Sequence, residues 1–292
     1  MVDQHKAYAF GITTVLFWST VATAFKIALA SLTVVQLIFY ACVSSTLVLL
    51  SALVWQGRLS ELLPTFRQHW RITLLAATLN PLVYYLILFA AYDRLPAQVA
   101  QPINYTWAIV LTLMSIYFLK QRVTVRDLFA AAVCYAGVVL IATQGQWQLT
   151  SIVSFSGVML ALASTVVWAG YWILNIRDSR EPLLALCLNF LCAIPVALLG
   201  CMLFSTPVVS VGPGLGAALY IGIFEMGLAF LCWSQALKLA ENTSRVSNLI
   251  FLSPFLSLVL IHYILGEPIY STTYIGLAII VGGLLWQKTG RN

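Results

Sequence analysis

Apolar residues run along this chain in blocks of about twenty, broken by short polar stretches. A helix that crosses a ~30 Å hydrocarbon core at 1.5 Å per residue needs blocks of that length. Ten can be drawn: Ala7–Leu29, Thr33–Trp55, Trp70–Ala91, Ala97–Leu119, Val125–Thr143, Phe155–Asn175, Leu183–Phe204, Leu215–Lys238, Thr243–Leu265 and Ser271–Gln287. The breaks carry turn chemistry, as at Leu95-Pro96 and Gly266-Glu267-Pro268. Together the blocks nearly exhaust the chain. The pattern therefore predicts an all-α integral membrane protein of ten transmembrane helices with no soluble domain.

Composition agrees. Of 292 residues, 61% are hydrophobic and 8% charged, with a mean hydropathy of +0.95, against about 25% charged in a soluble domain. The net charge of +6 is no sign of nucleic acid, because no Lys/Arg run exists and the basic residues fall in short loops. Their placement instead sets topology. Thirteen of the fifteen fall on the side of the N-terminus: Lys6, Arg58, Arg67, Arg71, Lys120, Arg122, Arg126, Arg177, Arg180, Lys238, Arg245, Lys288 and Arg291. Only Lys26 and Arg94 fall on the other. The positive-inside rule then predicts a multi-pass protein of the bacterial inner membrane with both termini cytoplasmic. Lys6, the apolar run behind it and Ala22-Thr23-Ala24 imitate a cleavable signal peptide. Ala7–Leu29 is long enough to span, however, and is read as a retained helix.

The two halves match at a shift of 146 residues: Leu119-Lys120-Gln121 with Gly137 falls on Leu265-Gly266-Glu267 with Gly283, and Gly11 falls on Gly157. Trp18 and Trp168 need four residues more. Each half, 1–147 and 148–292, holds five helices. Five is odd, so the second copy enters from the opposite side. The expected fold is two inverted five-helix repeats around a central cavity, with the substrate site near the midplane.

Against this apolar background a few polar positions stand out. Glu225 lies ten residues into Leu215–Lys238, about 15 Å from its start and near mid-bilayer. A carboxylate there costs several kcal/mol unless it is paired, protonated or wetted. Packing as a neutral hydrogen-bonded group is the plain alternative to a wall of a polar pathway. In the fourth helix Gln98, Gln101 and Tyr105 share one face, with Asn104 beside it and Pro102 as a break. The ninth answers with Ser244, Ser247, Asn248 and Phe251 before Ser253-Pro254, and two matched broken helices point to a transport site. Asn80-Pro81, Tyr84 and Tyr85 lie in the third helix, and at the 146 shift Leu79 falls on Glu225. Trp18 and Trp168 sit too deep for an interfacial belt, unlike Trp55, Trp70, Trp147 and Trp286, and serve either as core packing or as a face for substrate. Lys26 either snorkels to the headgroups or turns inward to Glu225. The candidate substrate-binding residues are thus Trp18, Asn80, Tyr84, Gln98, Gln101, Asn104, Tyr105, Trp168, Glu225, Asn248 and Phe251, with Glu225 also the candidate coupling residue.

Three motifs carry a resemblance. Phe17-Trp18-Ser19 in the first helix, Leu265-Gly266-Glu267-Pro268 after the ninth, and Gly276-Leu277-Ala278-Ile279-Ile280-Val281-Gly282-Gly283 in the tenth resemble the drug/metabolite transporter superfamily, in its ten-helix EamA-type exporter branch. The resemblance implies ten helices around a central cavity and export of small metabolites, often amino acids or their relatives. The first repeat departs from the pattern, with Lys120-Gln121-Arg122 where the second has Gly266-Glu267-Pro268. Glu267 is accordingly expected to close a loop rather than bind substrate.

The leading expectation is a secondary transporter, not an enzyme, that works by alternating access and exchanges a proton or binds a cationic group at Glu225. The alternatives are an importer or exchanger of the same fold, or a membrane-embedded enzyme acting on lipid-linked substrates. Against the enzyme, the sequence offers no His cluster, no paired acidic motif and no Ser/His/Asp constellation. A GxxxxGK[ST] segment for ATP is absent too. All six cysteines lie in apolar stretches without a CxxC pair, so neither a disulfide frame, a metal nor a cofactor is expected. The expected partners are a small-molecule substrate, protons and the bilayer. Gly276, Gly282 and Gly283 suit helix packing within one chain or between two, which leaves a homodimer open.

Overall fold

The computed structural model describes residues 3–120, 124–145, 154–241, 246 and 249–289. Among them the chain is helical throughout, without a strand. The helices are α1 (Gln4–Leu29), α2 (Val34–Trp55), α3 (Leu62–Ala77), α4 (Tyr84–Arg94), α5 (Ala97–Tyr105), α6 (Trp107–Phe118), α7 (Val125–Thr143), α8 (Phe155–Arg177), α9 (Pro182–Phe204), α10 (Pro213–Tyr220), α11 (Ala229–Leu239), α12 (Ser253–Leu265) and α13 (Ser271–Thr289). Wider π turns, Thr78–Val83 and Ile221–Leu228, join α3 to α4 and α10 to α11.

Counted as continuous rods, eight are long and apolar enough to cross a membrane: Gln4–Leu29, Val34–Trp55, Leu59–Arg94, Ala97–Phe118, Val125–Thr143, Phe155–Arg177, Pro182–Phe204 and Pro213–Leu239. The last two apolar segments, Leu249–Leu265 and Ser271–Trp286, are shorter. The ninth block was expected to start at Thr243, which lies outside the described residues. The outward faces confirm the solvent. Leu47 and Val54 on α2 and Leu199 and Met202 on α9 are more than half exposed, an apolar surface that suits lipid and not water.

Local chemistry fixes the helix starts. Asp3 caps α1 by accepting from the Lys6 amide at 3.1 Å. Thr33 and Gln36 form a reciprocal capping box on α2, and Thr124 and Asp127 do the same on α7, satisfying donors that have no partner within the helix. Glu181 caps α9, with Pro182 in the first turn where a missing N–H costs nothing.

The chain divides into two compact units, each drawn from both halves of the sequence: residues 1–86 with 178–260, and residues 87–177 with 261–292. In the first unit α2 packs on α9, and α1 on α10 and α11. Both pairs run antiparallel. Gln36 Nε2 at the start of α2 donates to the Thr206 carbonyl just past α9 (2.8 Å), while Arg58 beyond the end of α2 reaches Glu181 at the start of α9 (3.6 Å). Small residues let α1 lie close, since a Cβ on Gly11 would stand 2.9 Å from Leu249 Cδ1 and 3.4 Å from Val246 Cγ1. Arg180, with no exposed side-chain surface, pairs with Asp178 (2.6 Å) and donates to Thr73 Oγ1 on α3 (2.7 Å) and Asn189 Oδ1 on α9 (3.4 Å).

In the second unit α7 packs on α13, and α5 and α6 on α8. The α7–α13 seam is antiparallel. Arg126 at its start lies over the Trp286 ring (4.6 Å), and Gly145 just past its end lies near Thr272. Backbones nearly touch midway, where a Cβ on Gly137 would stand 2.7 Å from the Gly276 carbonyl. Lys120 (φ 54°) and Gly266 (φ 70°) both take the left-handed conformation after their helices.

Candidate functional site

Glu225 lies in the Ile221–Leu228 π turn, and its side chain is buried at 7% exposure. Gly222 and Gly227 flank it. A Cβ on Gly222 would collide with Ser44 Oγ and the Ala41 carbonyl of α2, and one on Gly227 would stand 3.4 Å from Val48 Cγ1. The turn is therefore pressed against α2 on both sides of the carboxylate. Glu225 Oε1 accepts from the Tyr85 hydroxyl at 2.7 Å, and Oε2 has no hydrogen-bond partner among the described residues. The partner of Oε1 is thus Tyr85 on the helix that follows the other π turn.

Aromatic rings surround this turn within the first unit. Phe17 meets Phe224 (5.1 Å between centroids), and Trp18 meets Phe230 edge-on (6.0 Å) and Trp233 (5.6 Å). The hydroxyls of Thr20 and Tyr220 lie 2.8 Å apart. Tyr84 is buried and packs edge-on against the Tyr85 ring at 4.8 Å. Asn80 is fully buried in the other π turn, and neither its amide nitrogen nor its oxygen has a hydrogen-bond partner among the described residues. Phe251 is half-buried in the turn Leu249–Leu252, which packs on α1. Asn248 lies outside the described residues. The first unit thus holds Trp18, Asn80, Tyr84, Glu225 and Phe251.

The second unit holds Gln98, Gln101, Asn104, Tyr105 and Trp168. Gln98 is held at both ends of its amide. Its Nε2 donates to the Pro268 carbonyl (2.8 Å), and its Oε1 accepts from the Tyr270 amide (3.2 Å) and Thr273 Oγ1 (3.0 Å). Glu267 completes this clasp by accepting from the Ala97 (3.0 Å) and Gln98 (3.2 Å) amides at the start of α5, the loop-closing part expected of it. Gln101 is buried with both amide atoms unpartnered. Asn104 Nδ2 donates to Ser164 Oγ on α8 at 2.9 Å, and Tyr105, half-buried, ends α5. Trp168 stacks on Tyr171 (5.5 Å) and meets Trp172 edge-on (6.0 Å), and Trp172 lies nearly parallel to Trp107 at 6.2 Å.

Tyr85 was noticed in the sequence but not chosen, and helix periodicity explains the choice of Tyr84. An α-helix brings i+4 onto the face of i, which favours Tyr84 after Asn80. A π turn adds a residue, and it is Tyr85 that reaches Glu225. Among the described residues no three His, Cys, Asp or Glu side chains gather as metal ligands.

Comparison with known proteins agrees with this arrangement. The model of the EamA-like transporter family matches residues 5–143 and again 155–287. A transporter of Archaeoglobus fulgidus without an assigned substrate is 27% identical, over 93% of both chains. The inner membrane transporter YhbE of Escherichia coli is 20% identical, over 96% of this chain and 90% of its own. The aromatic amino acid exporter YddG of Ancylobacter novellus is 25% identical, over 68% of this chain and 70% of its own. One crystal structure shares the fold with a TM-score of 0.68 at 22% identity, over 97% of this chain and 96% of that one. With apolar rods of membrane-spanning length, a lipid-suited exterior and a family model that fits both halves, the chain is a multi-pass membrane protein that belongs to the EamA-like transporter family.

Proposed function

We propose that this protein is a secondary exporter of small amphipathic metabolites, amino acids with aromatic side chains foremost, which works by alternating access and exchanges a proton at Glu225. The observation that carries the reading is the Glu225 carboxylate itself. It is buried within an apolar span, held by one oxygen and without a partner among the described residues at the other, beside the Phe17–Phe224 pair. An unoccupied polar oxygen in such a place calls for a ligand, a proton or water. The aromatic surround suits the apolar part of a substrate, and YddG of Ancylobacter novellus is named as an aromatic amino acid exporter.

Alternating access is supported by signs of inverted repeats, 1–147 and 148–292, of five helices each. The family model fits each half separately. The second helix of one half pairs antiparallel with the second of the other (α2 with α9), and the fifth does so too (α7 with α13). Equivalent helices related by a two-fold axis in the membrane plane must run in opposite directions. Lys120 and Gly266, equivalent at the 146 shift, share the left-handed conformation, and the two π turns overlap at the same shift. This arrangement and the distribution of Lys and Arg support ten spans with both termini in the cytoplasm of the inner membrane.

The test is flux into proteoliposomes. Labelled aromatic amino acids, other amino acids and related metabolites are offered with and without an imposed pH gradient, to wild type and Glu225→Gln. Saturable, selective flux that the gradient drives in wild type only is the expected result. A variant that matches wild type at every pH and gradient would remove Glu225 from the mechanism.

A further inference from the structure

We propose that Tyr85 is the positioning residue of this site, which holds Glu225 by one oxygen so that the proton or a cationic substrate group is exchanged at the other. The proposal rests on the reading of Glu225 just given and extends it to a specific atom. Tyr85 is 1% exposed, so bulk water does not compete for its hydroxyl. Its 2.7 Å bond to Oε1 lies at the usual length for O–H···O, whereas Oε2 is as deeply buried and has no partner. The two oxygens are thus unlike.

That asymmetry survives a change of protonation. A proton arriving at Oε2 forms the O–H bond there and leaves Oε1 as a carbonyl oxygen, which still accepts from Tyr85. Loss of the same proton restores the carboxylate with the Tyr85 bond intact. The carboxyl group therefore need not rotate during a cycle. Its backbone is held as well, because Gly222 and Gly227 bring the turn against Ser44 and Val48 of α2. The elements packed on this turn bring other titratable groups that do not replace Tyr85. Tyr220 on α10 pairs with Thr20, Tyr40 on α2 donates to the Pro207 carbonyl, and Tyr84 packs on the Tyr85 ring. Cys42 on α2, Cys232 on α11 and Lys26 at the end of α1 are the remaining titratable groups on these elements, and Oε2 of Glu225 has no hydrogen-bond partner among the described residues.

The experiment compares wild type, Tyr85→Phe, Glu225→Gln and the double variant in the same proteoliposomes, measuring flux against pH together with thermal stability. Tyr85→Phe is expected to fold, to keep selective flux and to move the pH midpoint by about one to two units, the equivalent of one hydrogen bond to a charged group. Glu225→Gln is expected to abolish the pH dependence, and Tyr85→Phe to add nothing to its profile. Should Tyr85→Phe fail to fold, Glu225→Asp serves in its place, since it keeps the charge but withdraws it from Tyr85 and is expected to move the midpoint likewise. An unmoved midpoint in a folded Tyr85→Phe protein, beside a pH-independent Glu225→Gln, would overturn the role of Tyr85 alone. A Glu225→Gln protein with the wild-type profile would overturn the reading of the site and this proposal with it.

Discussion

Cys134 and Ile280 stand 146 residues apart, and the Cys134 thiol meets the Ile280 carbonyl at 3.4 Å. The interval equals the 146-residue shift read from the sequence, so under the proposed repeat this residue touches its own equivalent. In an antiparallel pair that happens only where the two helices cross. The contact explains why the surrounding seam of α7 and α13 is built from glycines. Gly137→Val or Gly276→Val would drive a side chain onto a facing carbonyl, at 2.7 or 2.9 Å from the new Cβ. Such overpacking is expected to cost about 1–3 kcal/mol or more, read as lowered thermal stability in detergent. Gly282→Ala meets nothing within 4 Å and should leave stability unchanged.

Gln98 provides a second test, because its amide is engaged in a clasp with the start of α13. Gln98→Ala and Glu267→Ala should each lower stability by about 1–2 kcal/mol, the range for losing a helix cap. The two losses should be less than additive, since they remove parts of one hydrogen-bonded unit. Substrate selectivity should not change. A Gln98→Ala protein of wild-type stability and altered substrate preference would return this residue to the binding site.

Lys120 holds a left-handed conformation (φ 54°) without being glycine. That conformation disfavours a side chain by about 1 kcal/mol. Lys120→Gly should therefore raise the thermal midpoint despite the loss of a charge, whereas Gly266→Lys (φ 70° at the equivalent position) should lower it.

The buried pair of Arg180 and Asp178 behaves differently from the surface pair of Arg58 and Glu61. Arg180→Met leaves Asp178, whose side chain is 6% exposed, without compensation, a loss of about 3–5 kcal/mol. Arg180→Met with Asp178→Leu should recover much of it. Glu61→Gln at the surface should change stability little, because exposed pairs contribute about 0–1 kcal/mol. Urea or thermal unfolding of the three variants beside wild type checks the ordering.

Asp3 supplies a pH dependence outside the membrane. Its bond from the Lys6 amide, with the Lys6 ammonium beside it, holds its carboxyl below the ordinary value of 3.8. A carboxyl lowered in the folded state stabilises the fold above its unfolded value and loses that contribution as pH falls through the folded one. The first turn of α1 should accordingly fray as pH drops below about 4, seen as faster amide exchange after correction for the intrinsic rate. Asp3→Asn, which keeps a capping oxygen, should hold the turn without that pH dependence.

The apolar helices and the buried Glu225 were legible in the sequence because each is a contrast against a uniform background. The function of Gln98 was not, since its partners lie 170 or more residues away and the same polar stripe would serve a substrate equally well. Tyr85 was not told apart from Tyr84, because the π turn before them interrupts the 3.6-residue period that orders the faces of a helix. The interleaved units were hidden for a related reason. Hydropathy marks where a helix lies but not which helix it meets, and α1 with α11 or α2 with α9 are chosen by small residues and caps rather than by apolar content.

The pairing of early helices with late ones also sets the order of events during synthesis. Gln36 waits for Thr206, which is 170 residues further on, and the Asp3 amide for the Leu239 carbonyl. At roughly 5–20 residues per second, α1 and α2 are in the bilayer for on the order of ten seconds before α9 to α11 arrive. During that interval Gln36 lacks its Thr206 partner and Ser44 the turn that packs on it, so the native pairing of α1 and α2 with α9 to α11 forms only once the second half has been made.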